Sequence, residues 1–390
     1  MLYTPKEEIE GRIARLKTLM EKASLDGAFF LYKVDYYYFT GTMQDAFLFV
    51  PLKGKPILFV RREINRARKE SPLDEVIPVK AFNDIKPYIK GIKRCGFELD
   101  VVPYNLMMKF MGILGNIEFV DISPIIKCLR KTKTPFEIFL MEKAASIAKK
   151  VYKKIPDVLK EGMTEIELGG LLESFAKPLG HEGILRVRSL NYEAYSWHIL
   201  SGETGSIVSQ SDSPMGGLGL SPAFPVGASM KKIRKGEPIL IDYGVCYHGY
   251  QADQTRMFAI GHMPDIFVKA YEVCRDVHYK VLDKALTGMT CSALFEYSKE
   301  LAKKAGFKDA YLGYGPYQVK FLAHGIGLEL NEIPFIATGM DYPIEEGMVF
   351  AIEPKMVFPK IGASGIENTV VIEKGKWRVL TDIDEEIVIL

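Results

Sequence analysis

The chain has 390 residues, 48% of them hydrophobic and 26% charged, ordinary proportions for a globular protein with a sizeable core and unlike those of a disordered segment. Lysine and arginine total 51 against 49 acids, a net charge of +2, which leaves no electrostatic footprint for a nucleic-acid partner. Five scattered cysteines without a CxxC pair, a charged N-terminus without an apolar signal region, and no apolar run near the roughly 20 residues of a membrane span predict reduced thiols, a cytoplasmic location and no membrane partner.

In chain order, Ile9, Ile13, Leu16, Leu19 and Met20 fall at helical spacing and predict a helix over 9–22. Strands are expected at 27–32, 36–40, 46–50 and 56–60, the last two joined by a Pro-Leu-Lys-Gly turn, followed by a helix over 62–69. Short β runs recur at 75–79, 94–98 and 117–121, with a helix near 104–111. This alternation predicts an α/β domain over residues 1–130. The texture changes at Lys131-Thr132-Lys133-Thr134-Pro135, placing a boundary within 129–134 and a second, α+β domain over 131–390. Helices are expected at 136–158 and 164–177, the second opened by a capping box of Thr164 and Glu167. Residues 201–229 are rich in Gly, Ser and Pro without a period, a loop of the length that commonly serves function. The basic run Lys231-Lys232-Ile233-Arg234-Lys235 is read as a solvated loop. Strands at 238–245 and 251–260, helices at 265–284 and 290–305, and strands at 348–354, 365–373 and 387–390 complete the chain.

Acids interrupt these apolar strands. Asp242 sits in Ile239-Leu240-Ile241-Asp242-Tyr243, although Asp is depleted in strands, and Asp253 follows in Tyr250-Gln251-Ala252-Asp253. A hairpin symmetric about the Tyr247–His248 bond would set the two face to face. Glu353 ends the run Met348-Val349-Phe350-Ala351-Ile352, and Glu367 stands before Val370-Val371-Ile372, with Pro359 and Gly362 between them for a second turn. Each residue alone fits a solvent-facing strand position. Together, carboxylates in buried strands need partners or cations. His324, in Ala323-His324-Gly325-Ile326-Gly327, adds an imidazole where glycines allow close backbone approach. Carboxylates with one imidazole suit Mn, Co or Zn, and two such ions about 3.5–4 Å apart form a hydrolytic clamp.

In order and spacing, Asp242, Asp253, His324, Glu353 and Glu367 resemble the metal ligands of the pita-bread metallopeptidases, peptidase family M24, which includes aminopeptidase P, prolidase and methionine aminopeptidase. The segments IDYGVCYHGYQADQTRMF, HGIGLELNEIP, EEGMVFAIEP and GIENTVVI carry the likeness, which spans about 131–390. The preceding α/β domain is similar to the N-terminal domain of prolidase, aminopeptidase P and creatinase. The resemblance implies two divalent metal ions per chain. Asp242 would bind one through both oxygens, Asp253 and Glu367 would bridge the pair, and His324 and Glu353 would bind the second. Glu353 would also accept the proton of the bridging water. The implied activity is hydrolysis of a small peptide by an Xaa-Pro aminopeptidase or dipeptidase, and the implied assembly is a homodimer.

The pattern also departs from the family. Its Pro-His-Gly block is Pro225-Val226-Gly227 here, a second histidine expected before Glu332 is Asn331, the arginine two residues before the last ligand is Gly365, and the acid after it is Asn368. His198, in Tyr195-Ser196-Trp197-His198-Ile199, is the candidate replacement imidazole and catalytic residue. An ordinary histidine packed beside Trp197 is the alternative. His181, His248, His262 and His278 are assigned no role. Because fold alone does not fix reaction type, two other functions stay open: a same-fold metalloenzyme acting on a non-peptide small molecule, of lyase or amidinohydrolase type, and a non-catalytic binding descendant.

Overall fold

The structure, a computed structural model, describes residues 2–192 and 197–390, and the chain divides into two compact units. One comprises Met1–Arg130 with Arg188–Asn191, the other Lys131–Val187 with Tyr192–Leu390.

The first unit contains α1 (Lys6–Lys22), β1 (Gly27–Phe30), α2 (Lys33–Thr40), β2 (Ala46–Pro51), β3 (Ile57–Val60), α3 (Ile64–Glu70), β4 (Glu75–Pro78), β5 (Arg94–Phe97), α4 (Tyr104–Leu114) and β6 (Glu118–Asp121), and α5 (Ser123–Lys131) begins in it. Its sheet runs β4-β3-β2-β1-β5-β6, antiparallel through β1–β2–β3 and parallel outside them. Phe29, Phe47, Phe49, Phe59, Phe97 and Phe110 fill its core. The strand expected at 36–40 is helix α2 instead. The aromatic run Tyr36-Tyr37-Tyr38-Phe39 has β propensity, but Gly41 caps a helix in the left-handed region (φ 74°). In addition, Asp35 in the first helical turn is buried against Arg130 at 2.7 Å and Arg188 at 2.6 Å. Tertiary pairing outweighs local preference there.

The second unit opens with α6 (Pro135–Tyr152), α7 (Ile155–Val158) and α8 (Glu165–Ala176). The single helix expected over 136–158 is divided because Pro156 cannot continue the hydrogen-bond ladder of α6. The Thr164–Glu167 capping box is present, each backbone N–H meeting the other's side chain at 2.7 and 3.2 Å. Then come β7 (Trp197–Ser201), β8 (Ile239–Tyr243), β9 (Val245–Tyr247), β10 (Tyr250–Ala252), β11 (Gln254–Ala259), α9 (Asp265–Ala285), α10 (Cys291–Lys304), β12 (Phe321–Gly325), β13 (Glu332–Ala337), β14 (Val349–Ile352), β15 (Lys355–Phe358), β16 (Gly362–Gly365), β17 (Glu367–Glu373), β18 (Lys376–Val379) and β19 (Val388–Ile389). The main sheet runs β13-β12-β14-β17-β11-β8-β7, with β18 added to β17 and β19 to β11. Apolar residues of α9 and α10 pack on it in one continuous core.

Two hairpins carry the acids. In the first, Tyr247 pairs with Tyr250 and Asp242 with Thr255. The turn is therefore His248-Gly249, one bond beyond the expected centre, and Asp242 faces Thr255 rather than Asp253. The cause is backbone chirality: a two-residue hairpin turn wants positive φ at both positions, which His248 (φ 50°) and Gly249 (φ 80°) provide. Asp253 lies in the break between β10 and β11. In the second hairpin Ile352 pairs with Asn368 and Lys355 with Gly365, a register that leaves Glu353 opposite Glu367.

Candidate metal centre

Neighbouring strands of one sheet each contribute a residue. His198 on β7 pairs with Asp242 on β8, Asp242 with Thr255 on β11, and Thr255 with Glu367 on β17. Residues directly in register across strands share a face, so these four line up on one side. Glu353 follows β14, and His324 is on β12 next to it. Asp253 joins through its backbone: its N–H donates to Thr369 Oγ1 at 2.8 Å, and Thr369 Oγ1 donates to its carbonyl at 2.9 Å. All five expected ligands thus gather in one cluster. Asp253, His324, Glu353 and Glu367 are buried, with Asp242 at its edge.

The cluster holds a cation that carried no sequence expectation. Lys355 is 1% exposed, and its Nζ donates to Asp242 Oδ2 at 3.0 Å, Glu353 Oε2 at 2.7 Å and Glu367 Oε2 at 3.0 Å. The signal was available: a lysine heads the apolar stretch Met356-Val357-Phe358, two residues past a candidate ligand. Against burial, the Lys355 charge and His198 hold the Asp242 carboxyl below its ordinary value. Lys355 does not balance the far side. Burial, with Glu367 and Asp242 close by, pushes Asp253 well above the carboxylate range. Burial also pushes Glu367 up to about 8 despite Lys355. These two acids still call for positive charge.

The donors there fit a divalent ion. Asp253, His324 and Glu367 offer ligand atoms within 4.8 Å of one another. His324 Nε2 stands 3.7 Å from Glu353 Oε1 and 3.8 Å from Glu367 Oε1. Those separations are long for a shared proton, but ordinary for atoms that each reach one ion over roughly 2.0–2.2 Å.

His198 lies beside the cluster. Its Nε2 is 3.1 Å from the Gly216 carbonyl, and Nδ1 faces Asp242 Oδ2 at 4.0 Å. Tyr195, Ser196 and the Trp197 side chain lie outside the described residues, so the alternative packing of His198 on Trp197 does too. The 201–229 loop is built rather than loose. Ile207 O accepts from Gly216 and Gly217 N–H, and Gly216 O accepts from Gly227 N–H. A Cβ at Gly217 (φ 76°) would come within 2.6 Å of Gly227 O, so glycine is needed for that approach. Val226 is buried in this segment. Asn368 accepts from Arg256 at 2.8 Å and donates to Glu385 at 2.9 Å. A cavity of about 640 Å³ opens beside His324, lined by Ser209 and Asp212 from the loop and by Phe321, Asn331 and Phe335.

The sequence profile of metallopeptidase family M24 matches residues 140–374, and that of the Creatinase/Prolidase N-terminal domain matches residues 12–132. The chain is also 30% identical to an Xaa-Pro dipeptidase from Pyrococcus furiosus, over 97% of this chain and 100% of the relative. The chain belongs to metallopeptidase family M24. Solved prolidase structures align with most of the chain. The prolidase from Pyrococcus horikoshii aligns with a TM-score of 0.82 at 25% identity, covering 97% of this chain and 100% of that one. The prolidase from Pyrococcus furiosus aligns with 0.77 at 28%, covering 94% and 99%. The folds are therefore a creatinase-type N-terminal domain and the M24 pita-bread catalytic domain. Among the described residues no helix is long and apolar enough to cross a membrane.

Proposed function

We propose that this M24 protein is a metal-dependent peptidase acting on small peptides, an Xaa-Pro aminopeptidase or dipeptidase. The observation that carries the reading is the convergence of Asp242, Asp253, His324, Glu353 and Glu367 on adjacent strands beside an open cavity. The name Xaa-Pro dipeptidase borne by its Pyrococcus relative supports the substrate class. Manganese, cobalt or zinc bound there would polarise the scissile carbonyl and lower the pKa of a water molecule. The chain's own residues supply the rest. Glu353, with Oε2 held by Lys355 and Oε1 turned toward His324, accepts the proton of the attacking water. His198, oriented through Gly216, supplies the imidazole that position 226 lacks. The loop residues Ser209 and Asp212 and the apolar Phe321 and Phe335 bound the substrate cavity.

The substitution of a buried valine at 226 also supports a second reading, in which the same centre acts on a non-peptide small molecule. A panel separates the two: protein loaded with Mn, Co or Zn is offered Xaa-Pro dipeptides and tripeptides, other dipeptides, and small amides or amidines. We expect chelator-sensitive cleavage of Xaa-Pro substrates. Turnover confined to the amides or amidines would establish the second reading, and metal-bound protein inert across all classes would remove both.

A further inference from the structure

We infer that the Lys355 ammonium stands in for one of the two divalent ions expected in this cluster, so that the centre takes a single ion on the side of Asp253 and His324. The inference rests on the reading of the cluster as a metal centre.

An ammonium has three N–H donors, and each of these meets a carboxylate oxygen: Asp242 Oδ2 at 3.0 Å, Glu353 Oε2 at 2.7 Å and Glu367 Oε2 at 3.0 Å. Three oxygens drawn around one Nζ leave no place among them for an ion that requires contacts of roughly 2.0–2.2 Å. A second cation pressed against the ammonium in so buried a site would also be strongly repelled. The two glutamates divide their oxygens accordingly. Each gives Oε2 to Lys355 and turns Oε1 toward His324 Nε2, at 3.7 Å from Glu353 and 3.8 Å from Glu367. One half of the cluster is filled by a covalently attached charge, and the other keeps the spacing of an ion site.

The hairpin is shaped for this lysine. Lys355 pairs with Gly365 across β15 and β16. A Cβ at position 365 would lie 2.6 Å from Lys355 Cγ, so a larger residue there would push the lysine stem out of the cluster. The missing side chain at 365 and the extra cation at 355 are two parts of one arrangement. Chemically the exchange is not neutral. An ammonium whose three N–H groups are all engaged balances charge, but it neither coordinates a carbonyl oxygen nor activates water as a second ion would. Asp242 becomes the counter-charge of Lys355 rather than a metal ligand.

Metal stoichiometry tests this directly. The full chain, stripped with chelator and reloaded with excess Mn, Co or Zn, should retain one equivalent by elemental analysis after desalting. Lys355→Met, which keeps the stem and removes the charge, should retain two. Two equivalents on the unaltered protein would overturn the inference and leave the metallopeptidase reading standing, whereas none would overturn both. Fewer than two equivalents on folded Lys355→Met would show that the lysine is not what keeps the second ion out, and would likewise overturn the inference. If that variant does not fold, anomalous scattering from crystals of the loaded unaltered protein decides: one peak beside His324 supports it, and a peak among Asp242, Glu353 and Glu367 where Nζ stands refutes it.

Discussion

At the scale of single residues, Glu353 and His198 carry the sharpest expectations. Glu353→Gln keeps a carbonyl oxygen for Lys355 at the position now 2.7 Å away, so the fold should survive while the proton acceptor is lost. Turnover should fall by at least about a hundredfold, the lower end of what a positioned general base contributes, with an unchanged circular-dichroism melt. Near-full activity would remove Glu353 from that role. His198 faces the cluster at Asp242, with Nδ1 4.0 Å from Oδ2. His198→Ala should therefore lower kcat/KM at least about tenfold while elemental analysis finds the metal still bound. A kinetically silent variant would mean that the imidazole at position 198 only packs. The candidate ligands were legible because an acid inside an apolar strand is costly and seldom accidental. Lys355 was as visible in the sequence, but a lysine on a strand is ordinarily a surface residue. Its burial depends on Gly365, a residue on another strand.

At the scale of elements, the 201–229 loop shows how an irregular segment is held next to a site. Glu165, the first residue of α8, is fully buried and accepts from Ser201 N–H and Oγ, Thr204 Oγ1, and Ser229 N–H and Oγ at 2.5–3.0 Å. One carboxylate thus ties both ends of the loop to one helix. Glu165→Ala would leave several buried donors unpaired and should lower the unfolding free energy by about 3–5 kcal/mol, measured by urea denaturation. A loss under about 1 kcal/mol would show that water can replace the carboxylate. The sequence marked this stretch as a loop because its Gly, Ser and Pro content has no period, yet nothing local pointed to Glu165 as its fastening. The first hairpin's register departs from the expected one for a related reason. Hydrophobic alternation alone allows two registers that keep the same face inward, and turn geometry at His248-Gly249 chose between them. In α2, aromatic β propensity was outweighed by the Gly41 cap and the Asp35 ion pairs.

At the scale of the whole molecule, the prolidase likeness leads us to expect a homodimer, which light scattering at micromolar concentration would report as a particle of twice the chain mass; a monomer would remove the expectation. The sequence by itself determined what local chemistry and order along the chain can carry. That includes strand and helix identity over most of the chain, the M24 family, and the residues that disturb apolar strands. Those signals are written in neighbours a few positions apart. The tertiary structure alone decided which residues stand opposite which: Asp242 against Thr255, Glu353 against Glu367, His198 beside Asp242, and Lys355 among three carboxylates. The physical reason is that such contacts depend on turn backbone angles and on space left by a distant glycine. Neither is encoded in the spacing of the residues that meet.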